Sequence, residues 1–145
     1  MSQRYYEDIQ AGEAIPPLVK HPTTKQLAQW AGASGDFYQI HYDKDYAVAN
    51  GLPGVIVHGW LTASFLGSLV TDWMGDQGEM KKLECGYKGM FLPGEDVTCK
   101  GNVSKKYVKD GKGYVDCTIW AENPKGEKNA SGSATVVLPA RSKLE

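Results

Sequence analysis

Hydrophobic and polar positions divide the chain into a helical first half and a stranded second half. The least polar segment runs from Gly59 to Trp73. Trp60, Leu61, Ala63, Phe65, Leu66, Leu69, Val70 and Trp73 cover nearly every side of a helical wheel. A helix apolar all round is buried all round or spans a membrane, and a span takes about 20 apolar residues. This segment is shorter and carries Thr62, Ser64, Ser68 and Thr71, so it predicts a central core helix.

Upstream, Tyr6 to Ala14 reads as a polar lead-in, and Ile15 to Lys20 as an edge strand, because Pro16 and Pro17 cannot donate to a central ladder. Thr23 or Thr24 is a cap for a helix with Leu27, Ala28, Trp30 and Ala31 on its apolar face, closed by Gly32 and Gly35. Asp43 to Gly51 predicts a short helix capped by Asp43 and stopped by Asn50-Gly51. After Gly75 the pattern changes. Strands are expected at Leu83–Lys88, Asp96–Lys100, Tyr114–Trp120 and Ala134–Leu138, separated by Pro93-Gly94, Asp110–Gly113 and Asn123–Gly126. Alternation puts Val115, Cys117 and Ile119 on one face and Asp116 and Thr118 on the other. Helices first and an antiparallel meander second give an α+β fold, with a curved sheet wrapped around the apolar helix. Ser142 to Glu145 reads as a loose tail.

Composition narrows the function classes. A chain of 145 residues fits one domain, 1–145, able to bury about 70% of the surface its unfolded form exposes. Its 16 basic and 17 acidic residues are mixed along the sequence, which points to neither a nucleic-acid nor a membrane surface. The lysines at 100, 105, 106 and 109 read as a solvated hairpin. No apolar leader is visible at Met1 to Asp8, and Cys85, Cys99 and Cys117 form no Cys-x-x-Cys pair, so free thiols in a reducing cytoplasm are expected. The cysteines and His21, His41 and His58 lack ligand spacing, and no metal is expected.

The candidate chemistry lies between the helices. Asp36 and His41 are five positions apart, an offset that neither a helix nor a strand would aim at one point. An irregular loop would, and Gly35 supplies the backbone freedom for one. Taken alone, such a pair is usually a cap or a surface pair rather than an acid/base pair. In sequence order, however, Ala33-Ser34-Gly35-Asp36, Ile40-His41-Tyr42-Asp43, Ala47, Gly51-Leu52-Pro53 and Val57-His58-Gly59 resemble the hydratase motif of a known family. That family is the MaoC-like (R)-specific enoyl-CoA hydratases and 3-hydroxyacyl thioester dehydratases, which have the hotdog fold. The resemblance is close from Thr23 to Trp73 and only a matter of pattern in the strands.

The resemblance implies a cofactor-free lyase acting on acyl-CoA thioesters, with Asp36 and His41 as the catalytic pair and the Gly59 N–H as donor to the thioester carbonyl. Its chemistry suits those residue types. Hydrating a trans-2-enoyl thioester needs a base for water, a proton for C2 and a donor for the enolate oxygen. Imidazole, carboxyl and a helix-start N–H can supply these. Which side chain moves which proton stays open.

Tyr38-Gln39 stands where the family usually has Asn-Pro, and Gly67 where some hydratases have serine. Tyr38 therefore bears on how Asp36 or water is held, and Gly67 on room for substrate. His58 reads as packing or hydrogen bonding beside the helix start and is placed with the substrate-binding group. Trp30, Trp60, Trp73 and Trp120 read as core or interface. Val70-Thr71-Asp72-Trp73 also resembles small MaoC-like subunits that act on bulky steroid side-chain thioesters with a partner subunit. A single such fold leaves a sheet edge and its central helix partly uncovered, which predicts a homodimer, with a heteromer as the variant of that reading. A hotdog thioesterase and a non-catalytic or partner-dependent subunit are the rival functions.

Overall fold

Thr23 and Asp43 start the first two helices, as their side chains suggest. The Thr23 hydroxyl accepts from Gln26 N–H at 3.2 Å and the Asp43 carboxylate from Tyr46 N–H at 3.0 Å. In the computed structural model, which describes residues 2–145, the elements are β1 (Ala14–Lys20), α1 (Thr24–Ser34), α2 (Lys44–Ala49) and α3 (Gly59–Met74). They are followed by β2 (Glu79–Tyr87), β3 (Val97–Lys109), β4 (Lys112–Glu122) and β5 (Lys128–Leu138). Gly35 ends α1 in the left-handed region at φ 80°, which releases the chain into the loop carrying Asp36.

The sheet has five strands in the order β1-β3-β4-β5-β2, each neighbour antiparallel. Helix α3 touches every strand of it. Leu61, Phe65, Leu66, Leu69 and Trp73 on α3 meet Val103, Val115, Ile119 and Val136 in one buried cluster, where each large side chain contributes about 1.5–3 kcal/mol. This is the hotdog architecture that the resemblance implies; only β3-β4-β5 form the expected meander, because β2 crosses over to pair with β5. Val115, Cys117 and Ile119 all face the core. Among the described residues, no helix is long and apolar enough to cross a membrane.

Several expectations need correction. Helix α3 is not covered all round: Trp60, Ser64 and Thr71 are exposed along one stripe, because the sheet closes around only part of the helix. Of the core-or-interface reading of the tryptophans, Trp60, 74% exposed, keeps only the interface half, whereas Trp73 is buried in the core. Ala28 is exposed too, leaving Leu27 and Ala31 as the buried face of α1. The lead-in is not merely polar. Tyr6 and Ile9 are buried, held by Lys106 Nζ, which donates to both their carbonyls at 2.9 and 3.0 Å. The lysine-rich segment does form the β3–β4 hairpin, but Lys106 is tied down rather than solvated. The tail is anchored as well: Arg141 pairs with Asp8 at 2.6 Å, and Leu144 packs against the core.

Gly132 on β5 stands opposite Cys85 of β2. A Cβ there would lie 1.8 Å from the Glu84 carbonyl oxygen and 3.0 Å from Cys85 Cα, both backbone atoms. Overpacking against backbone has no flexible neighbour to yield. Gly132→Ala is therefore expected to destabilise by at least ~2 kcal/mol, read as a lower urea midpoint. An unchanged midpoint would show that β2 moves freely.

Candidate active site

The loop between α1 and α2 solves the spacing problem of Asp36 and His41. A single 3-10 turn, Gln39–His41, follows an extended Tyr38. Asp36 is fixed at three points. Its N–H donates to Ser34 Oγ at 3.2 Å, its Oδ1 accepts from Tyr38 N–H at 3.3 Å, and its carbonyl oxygen lies 3.3 Å from His58 Nε2. The other carboxylate oxygen, Oδ2, stands 4.0 Å from His41 Nε2. That is too long for a direct hydrogen bond and fits a small molecule held between the two. Tyr38 takes part in this geometry through its backbone N–H. The Tyr38 ring is exposed and meets the His41 ring edge-on at 6.2 Å.

His41 is nearly buried, and its tautomer follows from its partner. Nδ1 lies 2.7 Å from the Ile56 carbonyl oxygen. A carbonyl only accepts, so Nδ1 carries a hydrogen, and in the neutral ring Nε2 presents its lone pair toward Asp36. The segment ahead of α3 is itself pinned, with Ile56 N–H donating to Ile40 O at 3.0 Å and Val57 N–H to Phe91 O at 2.9 Å.

Gly59 is the first residue of α3, with His58 as its cap residue. No earlier turn can accept its N–H, which makes it a free donor at the positive end of the helix. His41 and Gly59 line one cavity of about 250 Å³ with Thr62, Tyr87 and Phe91. Asp36 is not among its lining residues and reaches it only beside His41. A larger apolar groove of about 500 Å³ adjoins it between α3 and β2, lined by Trp60, Ala63, Leu83 and Cys85 and sharing Gly59 and Tyr87 with the first. Gly67 follows Ala63 one turn along α3, and a Cβ there would meet only Leu83 at 3.6 Å.

His58 does not face the cavity, contrary to its placement with the substrate-binding residues. It is completely buried, and its ring is stacked on His41 at 3.9 Å with 20° between planes. Burial lowers its pKa, and the neighbouring His41 adds to the effect. Asp36, His41 and His58 each offer one ligand-type atom within 4.8 Å of the others. Stacked rings, however, direct their in-plane lone pairs side by side rather than at one point, which is poor geometry for a shared ion.

Tyr87 is a site residue that sequence reasoning missed. Its hydroxyl donates to the Gly59 carbonyl oxygen at 2.5 Å, so the end of β2 is fastened to the start of α3. A lone tyrosine at a strand end carries no signal of this. Cys99 and Cys117 are buried, and burial pushes their thiols up to about 12, as befits small apolar residues.

The sequence profile described as "MaoC like domain" matches residues 11–123. The chain belongs to the MaoC-like domain family. It is 28% identical over 143 residues to the (R)-specific enoyl-CoA hydratase of Rhodospirillum rubrum, covering 94% of this chain and 93% of that protein. It is also 28% identical over 130 residues to the 3-oxo-4,17-pregnadiene-20-carboxyl-CoA hydratase beta subunit of Mycobacterium tuberculosis, covering 90% and 95%. Among solved structures, the (R)-hydratase of A. caviae involved in PHA biosynthesis superimposes with a TM-score of 0.81 at 26% identity, over 92% of this chain and 99% of that one.

Proposed function

We propose that this MaoC-like protein hydrates trans-2-enoyl-CoA reversibly, with Asp36 and His41 as the acid/base pair and the Gly59 N–H as the donor to the thioester oxygen. It is a lyase of the hydratase type. The observation that carries the reading is that His41, whose Nε2 lies 4.0 Å from Asp36 Oδ2, lines one cavity with Gly59, the first residue of α3. Water held between the two side chains would lose a proton and attack C3. C2 would take a proton, and charge developing on the thioester oxygen would be met by the N–H and the helix end. All the groups used are protein groups, so the reading needs no cofactor.

The apolar groove beside Gly59 supports an acyl substrate, and Gly67 leaves that side of α3 open. A thioesterase is the rival chemistry. Following the enoyl absorbance and free thiol in parallel separates the two, since hydration consumes the double bond and releases no thiol. Release of thiol with the double bond intact would replace the hydratase reading.

Dimerisation is part of the same reading. Edge strand β1 carries Pro16 and Pro17, which protect it from pairing, whereas edge strand β2 has no proline and lies beside the exposed Trp60. A second copy paired along β2 would cover Trp60 and roof the groove. Native mass measurement is expected to give twice the chain mass, and Trp60→Glu to lower it to one chain. A dilute monomer with full activity would refute the pairing. The likeness to a hydratase beta subunit supports a different second subunit as the alternative partner. Free cysteines fit a cytoplasmic setting.

A further inference from the structure

Neither the acid/base roles nor the oxyanion donor accounts for His58, the one fully buried imidazole of the trio at this site. Its ring lies flat against His41 at 3.9 Å, and its Nε2 is 3.3 Å from the Asp36 carbonyl oxygen. That carbonyl accepts only, so Nε2 carries the hydrogen and donates. Nδ1 is then left bare, buried and without a hydrogen-bond partner. A buried imidazole with an orphan nitrogen is costly unless its position is needed. Asparagine or glutamine would supply the same donor without a ring, and phenylalanine the same ring without a donor. Histidine supplies both at once.

We propose that His58 is the positioning residue of the acid/base pair: its ring sets the plane of His41 while its N–H holds the Asp36 loop at the 4.0 Å separation. The inference rests on the hydratase reading for its kinetic consequences but not for its geometry. The titratable groups facing His58 are His41 from the 3-10 turn and Asp36 from the loop before it. Burial lowers the pKa of His58 and favours its neutral form, so an imidazolium formed at His41 in turnover would meet a neutral ring face and not a second positive charge. Because His58 is sealed from the cavity, its loss should act on kcat rather than on KM.

Three variants separate the contributions. His58→Phe keeps a ring under His41 and removes the donor. His58→Asn keeps a donor toward Asp36 and removes the ring, and His58→Ala removes both. His58→Ala is expected to lower kcat about 100-fold, the scale of a misplacement near 1 Å, with KM little changed. The acid limb of its kcat/KM–pH profile should move. Phe and Asn should each recover part of the loss. A variant that lowers only the melting temperature, with kcat and pH profile unchanged, would reduce His58 to a packing residue. A loss confined to KM would make it a substrate contact.

Nitrogen-15 NMR of the histidine rings supplies a readout that needs no activity. In the wild type, neutral His41 should be held in the Nδ1–H form and His58 in the Nε2–H form. In His58→Asn and His58→Ala, which remove the ring, the rotation and tautomer of His41 should become mixed, while His58→Phe should keep them. Unchanged His41 resonances would overturn the positioning role. If the wild type hydrates no enoyl thioester, the functional reading falls, and the ring spectra still decide the role of His58.

Discussion

Asp36→Asn and His41→Ala are each expected to lower turnover of trans-2-enoyl-CoA by about 10²–10⁴-fold, the range for removing a positioned acid or base. The two should not be additive, because they act on the same water and substrate proton inventory. Asp36→Asn keeps an oxygen able to accept from Tyr38 N–H, so the turn survives while the charge is lost. His41→Ala removes both the bond to the Ile56 carbonyl and the stack on His58. Its activity must therefore be compared with a melting curve. An asparagine variant with wild-type turnover and an intact fold would remove Asp36 from the chemistry.

Gly59→Pro is expected to have the second largest effect, about 10²–10³-fold in kcat, the loss seen when a single oxyanion donor is removed. Proline is tolerated at the first position of a helix. The preceding His58 already has φ −59° and ψ 139°, the extended conformation that a following proline requires. The substitution therefore deletes the N–H without breaking α3. Gly59→Ala is the control. It keeps the N–H and adds a Cβ 3.2 Å from the Tyr87 ring, a half-exposed side chain that has to give by only a few tenths of an ångström. Proline inactive with alanine active is the expected pattern. Equal activity in both would mean that the thioester oxygen is met elsewhere.

What the sequence disclosed here is local. Thr23 and Asp43 announce their helices because a capping side chain satisfies a neighbouring N–H, and that chemistry sits within three residues. Gly35 announces the turn after α1 because glycine enters the left-handed region at no steric cost. The strand alternation of Val115, Cys117 and Ile119 marks the core face. The ordered motif from Ala33 to Gly59 points to the hotdog fold and to Asp36, His41 and Gly59 as the proposed site, where spacing alone points to none of them.

What stayed hidden depends on contacts distant in sequence. Lys106 buries Tyr6 and Ile9 from about a hundred residues away, and Tyr87 reaches Gly59 from another element. A hydrophobic wheel counts Trp60 as core, but it cannot show that the sheet leaves that side of α3 open. The strands run longer than expected, to Lys109 in β3 and from Lys128 in β5, because their outer residues are polar and read as loop. His58 is the sharpest instance. Its sequence neighbours show a cap position, and only the fold stacks it on His41.

The most direct measurement is the reaction of the purified protein with a trans-2-enoyl-CoA in deuterated water, followed by mass spectrometry of the thioester. The expected product is 3-hydroxyacyl-CoA, heavier by one water and carrying one non-exchangeable deuteron at C2, with its CoA still attached; the Asp36→Asn variant should form little of it. Recovery of unchanged enoyl-CoA, or of free CoA and the unsaturated acid, would contradict the assignment of Asp36, His41 and Gly59 to hydration.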